Sequence, residues 1–398
     1  MVTNPSVFKA YDIRGVYGTD FDEDLAYRLG LAFAGWRLKN SGQDRIKLVA
    51  ASDMRLSSPS LKVALLKGLT EGGADVIDIG LASTPTFYFA VAHYGADGGI
   101  TVSASHNPKE HNGFKLVRER AMPVGQETGL TELQALVFGT DLQPVKTPGL
   151  VEMKEKVVYD QAEHDFKYFD LTKIKPLKIV VDTANGMGST YLDEFFRRLP
   201  QVELVRLNWN LDGTFPAHPA DPFQPANVKQ SSEAVVANKA DLGMTTDGDA
   251  DRIFFVDETG AAVAAGITRA ILAKLFLADK PGAKIGYDIR PGRITPDTII
   301  ANGGTPVITR VGHSLIKAQM LKDGIYFAGE SSGHFFLSME EGCYEVPMVV
   351  AGKLLVSLSD SGQKFSEYLK PYQKYFSSGE INSTVADSEL KMNQVKKH

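Results

Sequence analysis

The stretch Gly99-Ile-Thr-Val-Ser-Ala-Ser-His-Asn-Pro-Lys-Glu-His-Asn-Gly-Phe-Lys-Leu116 ends an apolar strand in a polar turn, and the turn presents Ser105 beside His106. Neighbouring residues on a strand point to opposite faces, so the Ser-His adjacency carries no chemistry by itself. The surroundings decide its meaning. Upstream, Ile46-Lys-Leu-Val-Ala-Ala51 reads as a strand, Ser58-Pro-Ser opens a helix that continues to about Gly72, and Ala74-Asp-Val-Ile-Asp78 reads as the next strand. Thr84-Pro-Thr-Phe-Tyr-Phe-Ala-Val-Ala opens a further helix before the Ser105 strand. Downstream the alternation returns. Lys178-Ile-Val-Val-Asp182 passes through Gly186-Met-Gly188 into a helix and closes on an acidic loop. Ala283-Lys-Ile-Gly-Tyr-Asp288, Pro306-Val-Ile-Thr309 and Ile325-Tyr-Phe-Ala328 are strands separated by helical stretches, of which Ser314-Leu-Ile-Lys-Ala-Gln-Met-Leu is the clearest. Alternating strands and helices predict α/β layers. Pro144-Val-Lys-Thr-Pro-Gly149 reads as a linker between the first two blocks. No fixed-period residue identity joins the blocks, so their likeness is architectural and not that of a solenoid.

The acidic loop Thr245-Thr-Asp-Gly-Asp-Ala-Asp-Arg-Ile-Phe-Phe-Val256 sets Asp247, Asp249 and Asp251 on alternate residues. Carboxylates this close repel unless a cation neutralises them, and Mg²⁺ suits a few carboxylates plus a phosphate oxygen. The three are therefore candidate metal ligands. A solvated acidic turn and a calcium loop are the competing readings, the latter because Glu258 stands at the twelfth position such a loop needs. Against it, Arg252 takes the position that requires Gly, and Ile253-Phe-Phe-Val256 reads as a strand. A third segment, Gly329-Glu-Ser-Ser-Gly-His334, interrupts an apolar strand with polar side chains between two glycines. Such a turn lets backbone approach a ligand closely while Glu and Ser hydrogen-bond to hydroxyl groups, although an ordinary hairpin has the same composition.

Composition bounds these readings. A chain of 398 residues exceeds one ordinary domain, and length suggests about two to four. The apolar fraction of 43% suffices for buried cores. A net charge of −5 without a dense Lys/Arg block argues against a nucleic-acid partner. The single cysteine, Cys343, excludes an internal disulfide framework and fits a reducing compartment, with packing as its expected role. No secretory leader and no membrane-length apolar run are visible, so a soluble cytoplasmic protein is expected, with no membrane partner.

Taken in order, the three loops resemble those of the α-D-phosphohexomutases, the phosphomannomutase and phosphoglucomutase enzymes. The resemblance covers nearly the whole chain. It implies an α/β fold of three consecutive related domains around a central cleft: 1–148 with the serine loop, 149–257 with the metal loop, and 258–368 with the sugar-recognition loop. Residues 369–398 would be a truncated remnant of a fourth domain. In the family that domain supplies an Arg-containing loop that clamps the phosphate not being transferred. Here Ser377-Ser-Gly-Glu-Ile-Asn-Ser-Thr-Val385 resembles only its opening strand, and no Arg follows Arg310.

By the same resemblance Ser105 is the phosphoserine, and its oxygen joins Asp247, Asp249 and Asp251 around Mg²⁺. Phe8-Lys-Ala-Tyr-Asp-Ile-Arg-Gly15 matches the opening signature, with Arg14 stabilising the phosphoryl group; a surface Arg is the alternative. Lys115 would neutralise charge or act as the general acid/base, where a solvated strand Lys is the plain alternative, and either Lys115 or His106 would assist the serine as a base. Arg252 would bind a phosphate or sugar oxygen, or else form a salt bridge to a loop Asp. His313 and Ser314 would reach the substrate, although a helix cap explains Ser314 equally well. Glu330 and Ser332 would contact ring hydroxyls, and Arg290 stands where many relatives have Lys. Two departures are visible: Ser331, where relatives have Met or Gln, and Glu341-Gly-Cys-Tyr-Glu-Val-Pro347, which lacks a common pair of Asp residues.

The implied activity is phosphohexomutase. It interconverts hexose 1-phosphate and hexose 6-phosphate of mannose and/or glucose through hexose 1,6-bisphosphate as intermediate and activator. Glucosamine phosphate is the alternative substrate. An impaired sugar-phosphate-binding protein, or one part of a split enzyme completed by a second chain that supplies the clamp, are the alternatives.

Overall fold

The computed structural model describes residues 4–139, 142–290, 292–376 and 383–396. Its strands follow the alternation in the sequence. The first sheet contains β1 (Ile13–Val16), β2 (Ile46–Ser52), β3 (Ala74–Leu81), β4 (Gly98–Val102), β5 (His111–Arg118) and β6 (Val151–Met153) in the order β1-β5-β4-β2-β3-β6. The second contains β7 (Lys178–Asp182), β8 (Glu203–Leu207), β9 (Leu242–Thr246) and β10 (Ile253–Asp257) in the order β10-β9-β7-β8. The third contains β11 (Lys284–Asp288), β12 (Thr305–Thr309), β13 (Ile325–Gly329), β14 (Phe335–Ser338) and β15 (Cys343–Glu345) in the order β12-β11-β13-β14-β15.

One plan underlies all three. The series β3-β2-β4-β5, β8-β7-β9-β10 and β12-β11-β13-β14 each place three parallel strands side by side and then turn back in an antiparallel hairpin. The parallel strands are covered by helices, which is why β4 and β9 are buried along their whole length and carry near-continuous apolar or small residues. Each hairpin turn leaves the carboxyl end of a parallel strand, the edge at which α/β sheets bind ligands. These turns are the serine loop, the aspartate loop and the Glu330 loop.

Buried apolar residues of all three sheets, among them Val49, Phe87, Val181, Tyr191, Phe276 and Phe327, form one continuous cluster. A second cluster, including Leu25, Leu48, Ile100 and Phe114, lies within the first domain. The domains also meet through backbone: Thr84 N–H donates to Asp249 O at 3.0 Å, and Ile253 N–H to Gly333 O at 3.1 Å.

Local chemistry sets the element ends. Ser83 caps the helix Thr84–His93 by accepting from Thr86 N–H at 3.2 Å, with Pro85 in the first turn. The helix His313–Asp323 differs from the expected form. It begins at His313 with Gly312 (φ 114°) as N-cap, so Ser314 lies inside the first turn and does not cap it. Strand β3 runs on to Leu81, past the expected end at Asp78. Of the stretch Ser377–Val385, residues 377–382 lie outside the described residues; a short exposed helix, Ser388–Val395, follows. Among the described residues no helix is long and apolar enough to cross a membrane.

Candidate active site

In the serine loop, Ser105 is buried and holds φ 51°, a left-handed conformation uncommon outside glycine. Its amide donates to Ser103 Oγ at 3.0 Å, and its own hydroxyl donates to Asp247 Oδ2 at 3.0 Å. His106 Nδ1 lies 3.2 Å from the same hydroxyl. Burial, with Arg252 and Arg14 nearby, pushes the His106 imidazole down to about 3, so it is neutral near pH 7. Arg14, on β1, donates from Nε to Asp12 Oδ2 at 2.7 Å and from one terminal nitrogen to Asn107 Oδ1 at 3.1 Å.

Lys115 lies opposite Thr101 in the β4–β5 pairing and is not solvated. Its buried ammonium donates to Asp249 Oδ2 at 2.5 Å and to Asp251 Oδ2 at 2.7 Å. Burial opposes its charge, yet the two carboxylates hold its pKa well above the usual lysine value. Ligand atoms of Asp247, Asp249 and Asp251 all lie within 4.8 Å of one another. Burial and the two neighbouring carboxylates drive the Asp247 pKa well above the ordinary range, whereas Asp249 is lowered by Lys115 and Thr84 in spite of burial and Asp251. Asp249 Oδ1 is buried without a hydrogen-bond partner, so this crowded oxygen set retains an acceptor for a hard cation. Glu258 does not join it: its carboxylate accepts from Ser366 N–H and Oγ–H at 2.9 and 2.5 Å. The calcium-loop reading is overturned by that placement. Arg252 donates its amide to Asp247 Oδ1 at 3.2 Å and keeps its guanidinium 3.6 Å from Oδ2, so it both pairs with the loop and lines the cleft.

The third turn is held from both sides. Glu330 accepts from Ser332 Oγ–H at 2.6 Å and from Gly312 N–H at 2.9 Å, and lies 3.4 Å from an Arg290 nitrogen. His334 bridges loops, with Nδ1 3.1 Å from Glu330 and Nε2 3.1 Å from Asp251. Although burial opposes it, Asp251 and Glu330 raise the His334 pKa to about 9. Arg290 donates from Nε to Asp288 Oδ2 at 2.7 Å, and the Ser331 hydroxyl also reaches the Asp288 carboxylate at 2.7 Å. Glu345, in the stretch without the paired Asp residues, forms a buried ion pair with Lys317 at 3.0 Å. Cys343 is buried beside Met320, as packing requires.

A cavity of about 460 Å³ is lined by Arg14, Ser105, His106, Lys115, Asp251, Arg252, Arg290, His313, Glu330 and Ser332. Both ring nitrogens of His313 are buried there without hydrogen-bond partners, Nδ1 lying 3.8 Å from the Glu345 carboxylate. Ser314 is placed apart: its hydroxyl, buried and unpartnered, lines an adjoining cavity of about 540 Å³. Three further residues bear on the site without having been expected from the sequence: Thr84, which donates to Asp249 at 2.6 Å, His334, and Arg55 beneath the serine loop. A signal for Arg55 exists. Asp53-Met-Arg55 repeats the spacing of Asp12-Ile-Arg14 and Asp288-Ile-Arg290, and in each the Arg Nε lies within 3.3 Å of the Asp carboxylate.

Comparison with known proteins bears on this geometry. Family models described as phosphoglucomutase/phosphomannomutase alpha/beta/alpha domains I, II and III match residues 5–143, 158–260 and 264–375. The chain is 37% identical over 399 residues to a phosphomannomutase of Escherichia coli (strain K12), covering 98% of this chain and 86% of the relative. A crystal structure of a phosphoglucomutase/phosphomannomutase family protein from Burkholderia thailandensis superposes with a TM-score of 0.85 at 33% identity, over 94% of this chain and 81% of that one. The fold also matches an Aspergillus fumigatus N-acetylphosphoglucosamine mutase solved with GlcNAc-6P and magnesium, with a TM-score of 0.58 at 14% identity over 91% of this chain and 79% of that one.

Proposed function

We propose, since the chain belongs to the phosphoglucomutase/phosphomannomutase family and is a phosphohexomutase, that it interconverts hexose 1-phosphate and hexose 6-phosphate of mannose and/or glucose with Ser105 as phosphate carrier. The observation that carries this reading is the buried contact of Ser105 Oγ with Asp247 Oδ2 at 3.0 Å, inside the cluster that Lys115 joins. In the forward half, the bond from phosphorus to the Ser105 oxygen breaks as a sugar hydroxyl forms its own bond to phosphorus, and the hydroxyl proton ends on the freed Ser105 oxygen. The product is hexose 1,6-bisphosphate, which turns over and returns its other phosphate to Ser105.

Asp247, Asp249, Asp251 and the Ser105 oxygen would hold Mg²⁺, which supplies positive charge against the transferring oxygens when bound. Arg14 lies within hydrogen-bond distance of the loop and adds a bidentate-capable cation. The two basic groups near Ser105 divide the remaining work. Lys115 stays an ammonium and contributes charge. Neutral His106, with Nδ1 3.2 Å from Ser105 Oγ, orients the serine hydroxyl by hydrogen bonding but is a weak base at its depressed pKa, so in the return step the serine proton ends on the sugar oxygen that leaves phosphorus. Glu330 and Ser332 accept and donate to ring hydroxyls, with Arg252, Arg290 and His313 around the same cleft.

Intact-mass spectrometry of the purified chain, followed by peptide mapping, tests the carrier: phosphate on Ser105 is expected. A parallel mutase assay on mannose, glucose and glucosamine phosphates ranks the sugars. Absence of turnover on every hexose phosphate would defeat the reading. A second chain completing a phosphate clamp is a separate proposal, tested by whether turnover rises when a phosphate-binding domain is added as a separate chain.

A further inference from the structure

Arg55 is fully buried under the serine loop, and its guanidinium donates to four backbone carbonyl groups of that turn. One terminal nitrogen donates to Ser105 O at 2.8 Å and Asn107 O at 2.6 Å, the other to Pro108 O at 2.7 Å and His111 O at 2.9 Å. The set uses every hydrogen on the two terminal nitrogens. Asp53 holds the fork from behind: Oδ2 lies 3.3 Å from Nε, while Oδ1 accepts from the Arg55 amide at 3.0 Å and Ser58 Oγ–H at 2.6 Å. Phe215, on the second domain, places its ring 5.0 Å from the guanidinium carbon. Gly213 in the same loop packs so closely that an added Cβ would come within 2.6 Å of Met54 O.

Ser105 has a left-handed backbone that a non-glycine residue adopts only when its surroundings fix it. The Ser103 hydroxyl fixes only the amide of Ser105, whereas the carbonyl side of the turn converges on Arg55. Turning these oxygens onto one buried cation also points them away from the cleft, where they would repel a phosphate. We propose that Arg55 is the positioning residue of phosphoryl transfer: it sets the Ser105 hydroxyl against Asp247 by clamping the carbonyl of Ser105 and three that follow it in the turn, with Phe215 registering the clamp to the second domain. The proposal rests on Ser105 as carrier, and it acts through the backbone rather than through any contact with substrate.

Arg55→Lys keeps the charge but offers three donors and no planar fork. A displacement of the reacting oxygen of about 1 Å costs on the order of 100-fold, so kcat and the rate of Ser105 phosphorylation by hexose 1,6-bisphosphate should both fall by about that factor. KM should stay at its wild-type value, since the Arg55 side chain bonds to backbone and not to the substrate cleft. Methylguanidinium should restore Arg55→Ala by at least about tenfold and leave Arg55→Lys unchanged. Wild-type phosphorylation rates in Arg55→Lys would overturn the proposal, as would parallel loss of kcat and substrate affinity without rescue. If neither Arg55 variant folds, Phe215→Leu decides: loss of a ring contact of this kind predicts about threefold slower phosphorylation, and an unchanged rate rejects the clamp. Peptide mapping of wild-type protein separates the two readings. No phosphate on Ser105 removes the carrier itself, whereas phosphate there with unaffected Arg55→Lys removes only the positioning role.

Discussion

With its ammonium 2.5 Å from Asp249 and 2.7 Å from Asp251, Lys115 balances carboxylate charge that burial alone would neutralise by proton uptake. Lys115→Met removes this partner and leaves carboxylates facing one another. A loss of about 3–5 kcal/mol in urea unfolding is expected, and Mg²⁺ should raise the midpoint of this variant more than that of wild type. Equal Mg²⁺ effects on the two would show that the ammonium and the metal do not answer the same charge. Asp249→Asn should lower Mg²⁺ affinity by about tenfold or more, because a neutral amide is the weaker ligand for a hard cation. Calorimetric titration showing unchanged affinity would assign the loop a purely structural role. The aspartates are legible in the sequence because their chemistry is contained in adjacent spacing. Lys115 is reached only through the family resemblance and not from its own surroundings in the sequence, since its burial depends on the register that sets it opposite Thr101 and on a contact made with another domain.

At the scale of elements, three hairpin turns at equivalent places in three sheets bring the loops together. Gly248 shows how closely: a Cβ there would stand 2.4 Å from Ser105 O. Gly248→Ala must therefore push the serine and aspartate loops apart. A stability loss of about 1–3 kcal/mol and a fall of roughly 100-fold in kcat are expected, with circular dichroism unchanged; near-normal turnover would mean that the two loops need not touch. The Glu330 turn gives a pH signature. Burial would raise its pKa, but His334, Ser332 and the Gly312 amide lower it from 4.5 to about 2. A carboxyl depressed on folding stabilises the protein above its unfolded pKa, and the contribution is lost as pH falls through about 2. Up to about 3 kcal/mol is at stake, and Glu330→Gln should flatten this acid limb in urea midpoints measured from about pH 6 to about pH 2. A limb of unchanged slope would place the acid sensitivity elsewhere. The strands and helices were legible because alternating apolar runs and breakers act locally. The start of the helix His313–Asp323 was not: the Gly312 amide is held by Glu330, a contact across the domain that sequence spacing cannot display, and it moves Ser314 inside the first turn.

Across the whole molecule, one apolar cluster shared by the three sheets fixes the distances between loops that lie far apart in the chain. Ser105 and its aspartates stand on the first and second domains, and Arg290 and Glu330 on the third, so under the proposed function the transferring group and the sugar would be held by different domains. This division has a consequence for the reaction. A single serine serves both ends of the sugar only if hexose 1,6-bisphosphate reverses its orientation, and the third-domain residues must then hold the ring in either direction. Arg290 lies 3.4 Å from Glu330 and is fixed by Asp288 rather than by any group near Ser105. Removing it in Arg290→Ala should weaken both orientations alike. Loss of one charged hydrogen bond corresponds to about 1.5–3 kcal/mol, or a rise in KM of roughly tenfold or more, for hexose 1-phosphate and for hexose 6-phosphate. Phosphorylation of Ser105 at saturating bisphosphate should be unaffected, since Arg290 does not contact that loop. Steady-state kinetics in both directions checks this: a KM effect confined to one substrate would mean that the two orientations are held by different residues, and that the intermediate does not rebind on the surface it left.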